Sequence, residues 1–350
     1  MLADLVDHVI GVDPDRDRIT AVVIDAATKG ELDRIEVSAS PAGYQSVMEW
    51  AEAYSEATAR VWSIEGAGSY GAGLCATLQA AGEWVVEFDH PESRSDKDGA
   101  KSDGRDAARA GREVLGRDRL ATPRSRGARE GLRTLMVARR GAERARVAAV
   151  NGLKALVVTA PVGLREQLRG LTAEKLVDRC SRLRPGSDSD VEVAATKQAM
   201  KLIARRVISL ADEVKTIDAQ FESMVADMAP ALLDEFGVGP VSAAQTIISW
   251  SHPGRCRNEA AFARLAGAAP IEANSGQTQK RYRLSRGGDR HLNRALHTIV
   301  VTRGRSDPET KAYINRKVNE GKTPREARRV LKRYVARHLY RLLENPASAT

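Results

Sequence analysis

Four carboxylates in the first third of the chain have the types and spacing of a metal site. Asp13 closes the run Val9-Ile10-Gly11-Val12-Asp13 and Glu65 closes Val61-Trp62-Ser63-Ile64-Glu65, while Asp103 and Asp106 follow at i, i+3 spacing. The first two acids each stand where a short apolar strand meets solvent, and the second two share one face of a helix. Carboxylate oxygens suit a hard cation such as Mg²⁺, and paired Mg²⁺ ions about 4 Å apart are a recurrent way to cut or join phosphodiesters.

A second candidate lies in Ile271-Glu272-Ala273-Asn274-Ser275-Gly276-Gln277, where Ser275 precedes a glycine and Lys280, Arg281, Arg283, Arg286, Arg290 and Arg294 follow. A serine in such a loop is ordinarily a turn residue. Next to several cations, its hydroxyl gains the positive charge that a phosphodiester transition state requires. Ser242 and Ser285 are further hydroxyls of the same region. A third feature is the turn Gly237-Val238-Gly239-Pro240 between apolar segments, which has the pattern of a helix-hairpin-helix. Its backbone N–H groups at Gly237 and Gly239 would take a phosphate without reading sequence.

The elements that must position these residues follow from periodicity. Residues 8–13, 19–25 and 31–38 read as three strands, 41–57 as a helix, 61–65 as a strand, 70–81 as a helix and 84–88 as a fifth strand. That order predicts a mixed sheet with helices packed on it, with Asp13 and Glu65 at strand carboxyl ends, where open α/β sheets place ligands. A polar loop at 91–101 leads to the helix of Asp103 and Asp106. Beyond Arg126 strand signals almost vanish. Residues 191–228 run without Pro or Gly, with Ile203, Val207, Leu210, Val214, Ile217 and Phe221 at helical spacing, which predicts a coiled coil or a long packing helix able to dimerise.

The chain of 350 residues carries a net charge of +9, unevenly spread. From Gln277 to Arg341 there are 19 Lys+Arg against 5 Asp+Glu, or +14, which leaves −5 for the remainder. Such a region points to a polyanion. The cysteines, Cys75, Cys180 and Cys256, lack metal-ligand spacing, and the sequence offers neither a leader nor a membrane span, so a reducing cytoplasm is expected. Among the rival acids, Asp15 and Asp17 follow Pro14, which ends the strand and favours Asp13, while Asp25, Glu92, Asp96 and Asp98 offer other ligands.

Taken in order, Ile10-Gly11-Val12-Asp13-Pro14, Ile64-Glu65-Gly66-Ala67-Gly68-Ser69-Tyr70-Gly71, Lys101-Ser102-Asp103-Gly104-Arg105-Asp106-Ala107, Gly237-Val238-Gly239-Pro240, and Ala261 to Pro270 leading to Ser275-Gly276 and Arg286-Gly287-Gly288 are informative together. Over residues 8–343 the chain resembles the DEDD transposases of bacterial insertion sequences, a family that includes the pilin-gene invertase and the bridge-RNA-guided recombinases.

The resemblance implies an α/β plus α protein: a RuvC-like domain of the RNase H fold at 1–125, a helical coiled-coil middle at 126–230, and a mostly helical transposase domain at 231–345. It implies a tetrad of Asp13, Glu65, Asp103 and Asp106 holding Mg²⁺, and Ser275 as nucleophile forming a phosphoserine. It also implies a homo-oligomer, dimer or tetramer, that joins donor and target DNA under the direction of a structured non-coding RNA. A metal-dependent nuclease or junction resolvase with water as nucleophile is the alternative. Neutralising arginines between Arg281 and Arg294 should weaken binding to nucleic acid of any sequence and flatten its salt dependence by about 0.9 in log–log slope per lost phosphate contact. Titrations across a salt series measure this, and an unchanged slope would place the nucleic-acid path elsewhere.

Overall fold

A computed structural model describes residues 2–88, 103–117, 119–186, 190–272, 282–284 and 287–345. The chain divides into two compact units, Met1–Ser125 and Arg126–Thr350.

The first unit is built on a five-stranded sheet of order β3-β2-β1-β4-β5. Its strands are β1 (His8–Pro14), β2 (Arg18–Asp25), β3 (Glu31–Ser38), β4 (Arg60–Glu65) and β5 (Val85–Phe88). β1 pairs antiparallel with β2 and parallel with β4, and β4 pairs parallel with β5. The central strands are apolar on both faces because both faces are covered. β3 forms an edge, and its charged sequence Glu31-Leu32-Asp33-Arg34 keeps that edge in water.

Two helices cover one face: α1 (Pro41–Glu52), opened by Pro41 and capped by Ser40, whose Oγ accepts from the Gly43 amide at 3.2 Å, and α2 (Ala72–Ala80). They bury Val47, Ala51, Leu74, Cys75 and Leu78 against Ile10, Val12, Trp62 and Ile64. The opposite face carries α3 (Asp103–Leu115), whose Ala107, Ala108, Ala110, Val114 and Leu115 pack on Val9, Val22, Ile24 and Val61. At the start of β4, the fully buried Arg60 holds Glu83 through two hydrogen bonds, and Trp62 Nε1 donates to Glu83 Oε2 at 2.8 Å. This pair clamps β4 to the entry of β5.

Among the described residues, the second unit is helical apart from the short pair β6 (Pro270–Glu272) and β7 (Tyr282–Leu284). Its helices are α4 (Ala128–Thr159), α5 (Val162–Leu168), α6 (Ala173–Ser181), α7 (Val191–Met228), α8 (Pro240–Trp250), α9 (Glu259–Leu265), α10 (Arg290–Ser306), α11 (Pro308–Asn319) and α12 (Pro324–Glu344). α4 and α7 run antiparallel. Leu132 and Met136 near the start of α4 meet Ile217, Phe221 and Val225 near the end of α7, while Leu153 and Val157 meet Met200, Ala204 and Val207.

The long apolar stripe of α7 is therefore used within the chain. At one end α5 and α6 close over it, burying Cys180 and pushing its thiol up to about 11 by desolvation. At the other, residues of α8, α10 and α12 complete one core with α4 and α7, so the segments 126–230 and 231–345 share their packing.

What lets α3 lie so near the sheet is glycine. A Cβ on Gly11 would overlap the Ala107 carbonyl oxygen and stand 2.7 Å from the Gly111 amide nitrogen. Both are backbone atoms, which have no rotamer to yield. Gly11→Ala should therefore lower the free energy of unfolding by about 1–3 kcal/mol, read as a reduced denaturation midpoint of the full chain; wild-type stability in that variant would mean that α3 has room to move.

Candidate functional site

Strand alternation places Asp13 and Glu65 on the face covered by α3. Val9, Gly11 and Asp13 share that face of β1, and Val61, Ser63 and Glu65 share it on β4. The pairing Val12↔Ile64 brings the two acids next to each other at the strand ends. Ser63 Oγ donates to the Ala110 carbonyl at 2.8 Å, which fixes α3 over β4 as Gly11 fixes it over β1.

The N-terminal turn of α3 then reaches the same level. α3 runs antiparallel to β1, with Val114 and Leu115 toward Val9 and Ala107 at Gly11. Two strand residues from Gly11 to Asp13 advance about 6.7 Å, the rise of about four and a half helical residues. Asp103 lies one turn above Ala107, on the side of β1, and Asp106 one turn above Ala110, on the side of β4. Arg18, held above its ordinary pKa chiefly by its 2.8 Å hydrogen bond to Glu36, is also raised by Asp103, which ties that carboxylate to the β1–β2 end of the sheet. Asp106 is half-buried and pairs with Arg109 at 3.2 Å.

The rival acids stand apart. Asp15 and Asp17 occupy the exposed β1–β2 turn, where Asp15 Oδ1 accepts from the Arg16 amide at 2.7 Å and Asp17 Oδ2 pairs with Arg16 at 2.8 Å. Asp25 pairs with His8 at the opposite end of the strands. Its carboxyl pKa is lowered mainly by the Thr28 hydroxyl. Glu92, Asp96 and Asp98, with the 91–101 loop, lie outside the described residues.

Ser275, Asn274, Lys280, Arg281, Ser285 and Arg286 also lie outside the described residues, and Arg283 falls on β7. Ser242 is buried inside α8, where no substrate reaches it. Arg290 and Arg294 are exposed on the first turns of α10. Gly237 takes a left-handed backbone (φ 80°) and Gly239 caps α8 ahead of Pro240, but a 3-10 turn at Pro230–Leu232 stands where the sequence predicts a short first helix. The Glu235-Phe236 segment leading into Gly237 is bound to α10 by Arg303, which donates to the Phe236 carbonyl at 2.7 Å and pairs with Glu235 at 2.9 Å. Gly237 has the Arg303 stem against it, whereas no atom lies within 4 Å of a Cβ placed on Gly239.

One arrangement is only partly legible in the sequence. Arg140 of α4 donates to Gln245 Oε1, Gln245 Nε2 donates to Ser249 Oγ at 2.9 Å, and Ser249 Oγ donates to Asp289 Oδ2 at 2.6 Å. Asp289 Oδ1 in turn accepts from the His291 and Leu292 amides, capping α10. Ser242, Gln245, Thr246 and Ser249 fall at i, i+3, i+4 and i+7, a polar stripe on the otherwise apolar α8 that marks these residues in the sequence but does not name their partners across the core.

Four oxygen donors at one end of one sheet face fit a hard divalent cation by donor chemistry. Among the described residues, no three His, Cys, Asp or Glu side chains already stand in ligating positions. A cation that draws them together would bind the folded chain alone. At about 100 times its Kd, Mg²⁺ should add about 2.7 kcal/mol of stability, seen as a higher unfolding midpoint that Asp13→Asn or Glu65→Gln abolishes. A wild-type midpoint insensitive to Mg²⁺ would remove the metal assignment.

Comparison with known proteins identifies a family. The family described as "Transposase IS116/IS110/IS902 family" matches residues 229–315, and the DEDD transposase family of the IS110 type, described as "Transposase", matches residues 10–160. A Streptomyces coelicolor protein described as "Insertion element IS110 uncharacterized 43.6 kDa protein" is 26% identical over 127 residues, covering 36% of this chain. The matched region spans 31% of that relative's length. All four acids of the tetrad fall inside the first matched segment in chain order and Ser275 inside the second, and the chain belongs to the IS110 family of DEDD transposases.

Proposed function

We propose that this chain is the transposase of an insertion sequence, a recombinase that cuts and exchanges DNA strands through a covalent phosphoserine at Ser275. The observation that carries the reading is the placement of Asp13, Glu65, Asp103 and Asp106 at one end of one sheet face, in a chain whose second half matches a transposase family around Ser275. Mg²⁺ held by those carboxylates would supply charge neutralisation at the scissile phosphate.

The serine does the covalent work. Its Oγ attacks phosphorus; an O–P bond forms as the bond to the leaving deoxyribose oxygen breaks, the hydroxyl loses its proton and the leaving oxygen gains one. One ester replaces another, so the strand can be rejoined to a new partner without an external energy source. Lys280, Arg281, Arg283 and Arg286, which flank the serine in sequence, stabilise the charge of the pentavalent transition state. Arg290, Arg294 and the Gly237–Gly239 turn hold the nucleic-acid backbone, with Gly239 the more accessible of the two glycines.

The tetrad and the serine lie far apart in sequence, and the reaction would be assembled in a homo-oligomer from the tetrad of one protomer and the serine of another. Contacts of this kind position DNA without reading it, and this supports specificity delegated to a structured non-coding RNA that pairs with donor and target DNA.

Purified protein with Mg²⁺, RNA transcribed from the element's flanks and labelled donor and target DNA should yield a protein–DNA adduct on a denaturing gel. Ser275→Ala should lose the adduct, and Asp13→Ala should lose cleavage while leaving nucleic-acid binding largely intact. Cleavage without an adduct, undiminished in Ser275→Ala, would replace this reading with a nuclease that uses water.

A further inference from the structure

Six arginines lie on α4, and four have carboxylate partners: Arg129 and Arg133 with Glu130, Arg139 with Asp218, and Arg146 with Glu143. Arg140 and Arg144 have none among the described residues. Across from them on α10, Arg294 is exposed and likewise has no carboxylate partner among the described residues. These charges sense one another. Burial lowers the Arg140 pKa first, Asp289 opposes, and Arg294, Arg139 and Arg144 lower it further. His291 is lowered by burial and then by Arg140, with Arg294 adding to the effect and Asp289 opposing it.

The one carboxylate in the group is already engaged. Asp289 accepts from Ser249 Oγ at 2.6 Å and from the amides of His291 and Leu292 at 2.8 and 3.0 Å, and it forms no ion pair with these arginines among the described residues. Its hydrogen bonds instead set the geometry. The buried relay from Asp289 through Ser249 and Gln245 ends on the Arg140 guanidinium, so the α4 cation is held at a set distance from the start of α10. Arg144 Nε donates to the Arg140 carbonyl at 3.2 Å, which keeps the second cation beside the first.

We infer that Arg140 and Arg144 of α4 and Arg294 of α10 form a preorganised seat for a phosphodiester, with Arg140 as its fixed centre. Guanidinium groups match phosphate oxygens in geometry and stay charged at every accessible pH. Holding the central one in place beforehand removes most of the ordering cost of binding. The seat deepens the recombinase reading and rests on it for the polyanion, which is the backbone of either the DNA or the RNA.

The test is equilibrium binding of the full chain, in EDTA, to short labelled random-sequence DNA and RNA duplexes across a salt series. Arg140→Gln, Arg144→Gln and Arg294→Gln should each weaken binding about tenfold at low salt and reduce the log–log salt slope by about 0.9, whereas Arg146→Gln should change neither. Arg144 and Arg294 are exposed, so their variants report on the seat even where Arg140→Gln disturbs packing. Slope changes on DNA alone assign the seat to donor or target DNA, and changes on RNA alone assign it to the RNA. Wild-type slopes on both in all three variants would overturn the inference. Without Mg²⁺ the assay is blind to strand exchange: a chain that never forms the Ser275 adduct yet shows these slope changes would lose the recombinase reading and keep the seat.

Discussion

Backbone-to-backbone approach of α3 to β1 is the constraint on which the first unit depends. Gly11 meets the carbonyl of Ala107 and the amide of Gly111 where any side chain would intrude, and small residues, Gly104, Ala107, Ala108, Ala110 and Gly111, line the buried face of the helix. Glycine within a helix costs roughly 0.5–1 kcal/mol relative to alanine, so this face is bought with intrinsic helix stability and repaid by close packing. The consequence is positional. With α3 pressed onto the strands, its first turn sits level with their carboxyl ends, and acids from three distant stretches of sequence share one edge.

The second unit solves a different problem, holding charged surfaces in place on a helical scaffold. The antiparallel pairing of α4 with α7 provides length, and α8, buried on every side, provides a centre. A polar relay through such a helix is stable because each buried group has a partner: Thr246 Oγ1 donates to the Ser242 carbonyl at 2.8 Å, and Gln245 and Ser249 pass hydrogen bonds between α4 and α10. Each link is also a distance constraint, so the network sets where surface cations stand.

Charge is divided between the units in keeping with this. In the first, Asp13 and Glu65 stand side by side at the carboxyl ends of β1 and β4. In the second, the arginines of α4 separate into those satisfied by a neighbouring glutamate or aspartate and those left facing an engaged Asp289. Formal charge counts alone do not distinguish these populations, because pairing depends on which carboxylate comes within reach.

Much of this was legible in the sequence by itself. Continuous apolar runs at 8–13, 19–25 and 61–65 determined the central strands, since a sheet covered on both faces buries both sets of side chains, and the uninterrupted stretch at 191–228 determined the long helix. Motif order pointed to the family. Tertiary structure alone decided how these elements are used. The α7 stripe faces α4 of the same chain; the residues before Gly237 hold a 3-10 turn at Pro230–Leu232, and Arg303 binds Glu235 and Phe236 beyond it; and Asp25 stands at the wrong end of the sheet to join Asp13. The relay from Arg140 to Asp289 spans about 150 residues of chain; the polar stripe of α8 marks its middle, but nothing local pairs that stripe with Arg140 or Asp289. Periodicity reports which face of an element is buried; partners across a core are set by packing, which sequence-local patterns do not encode.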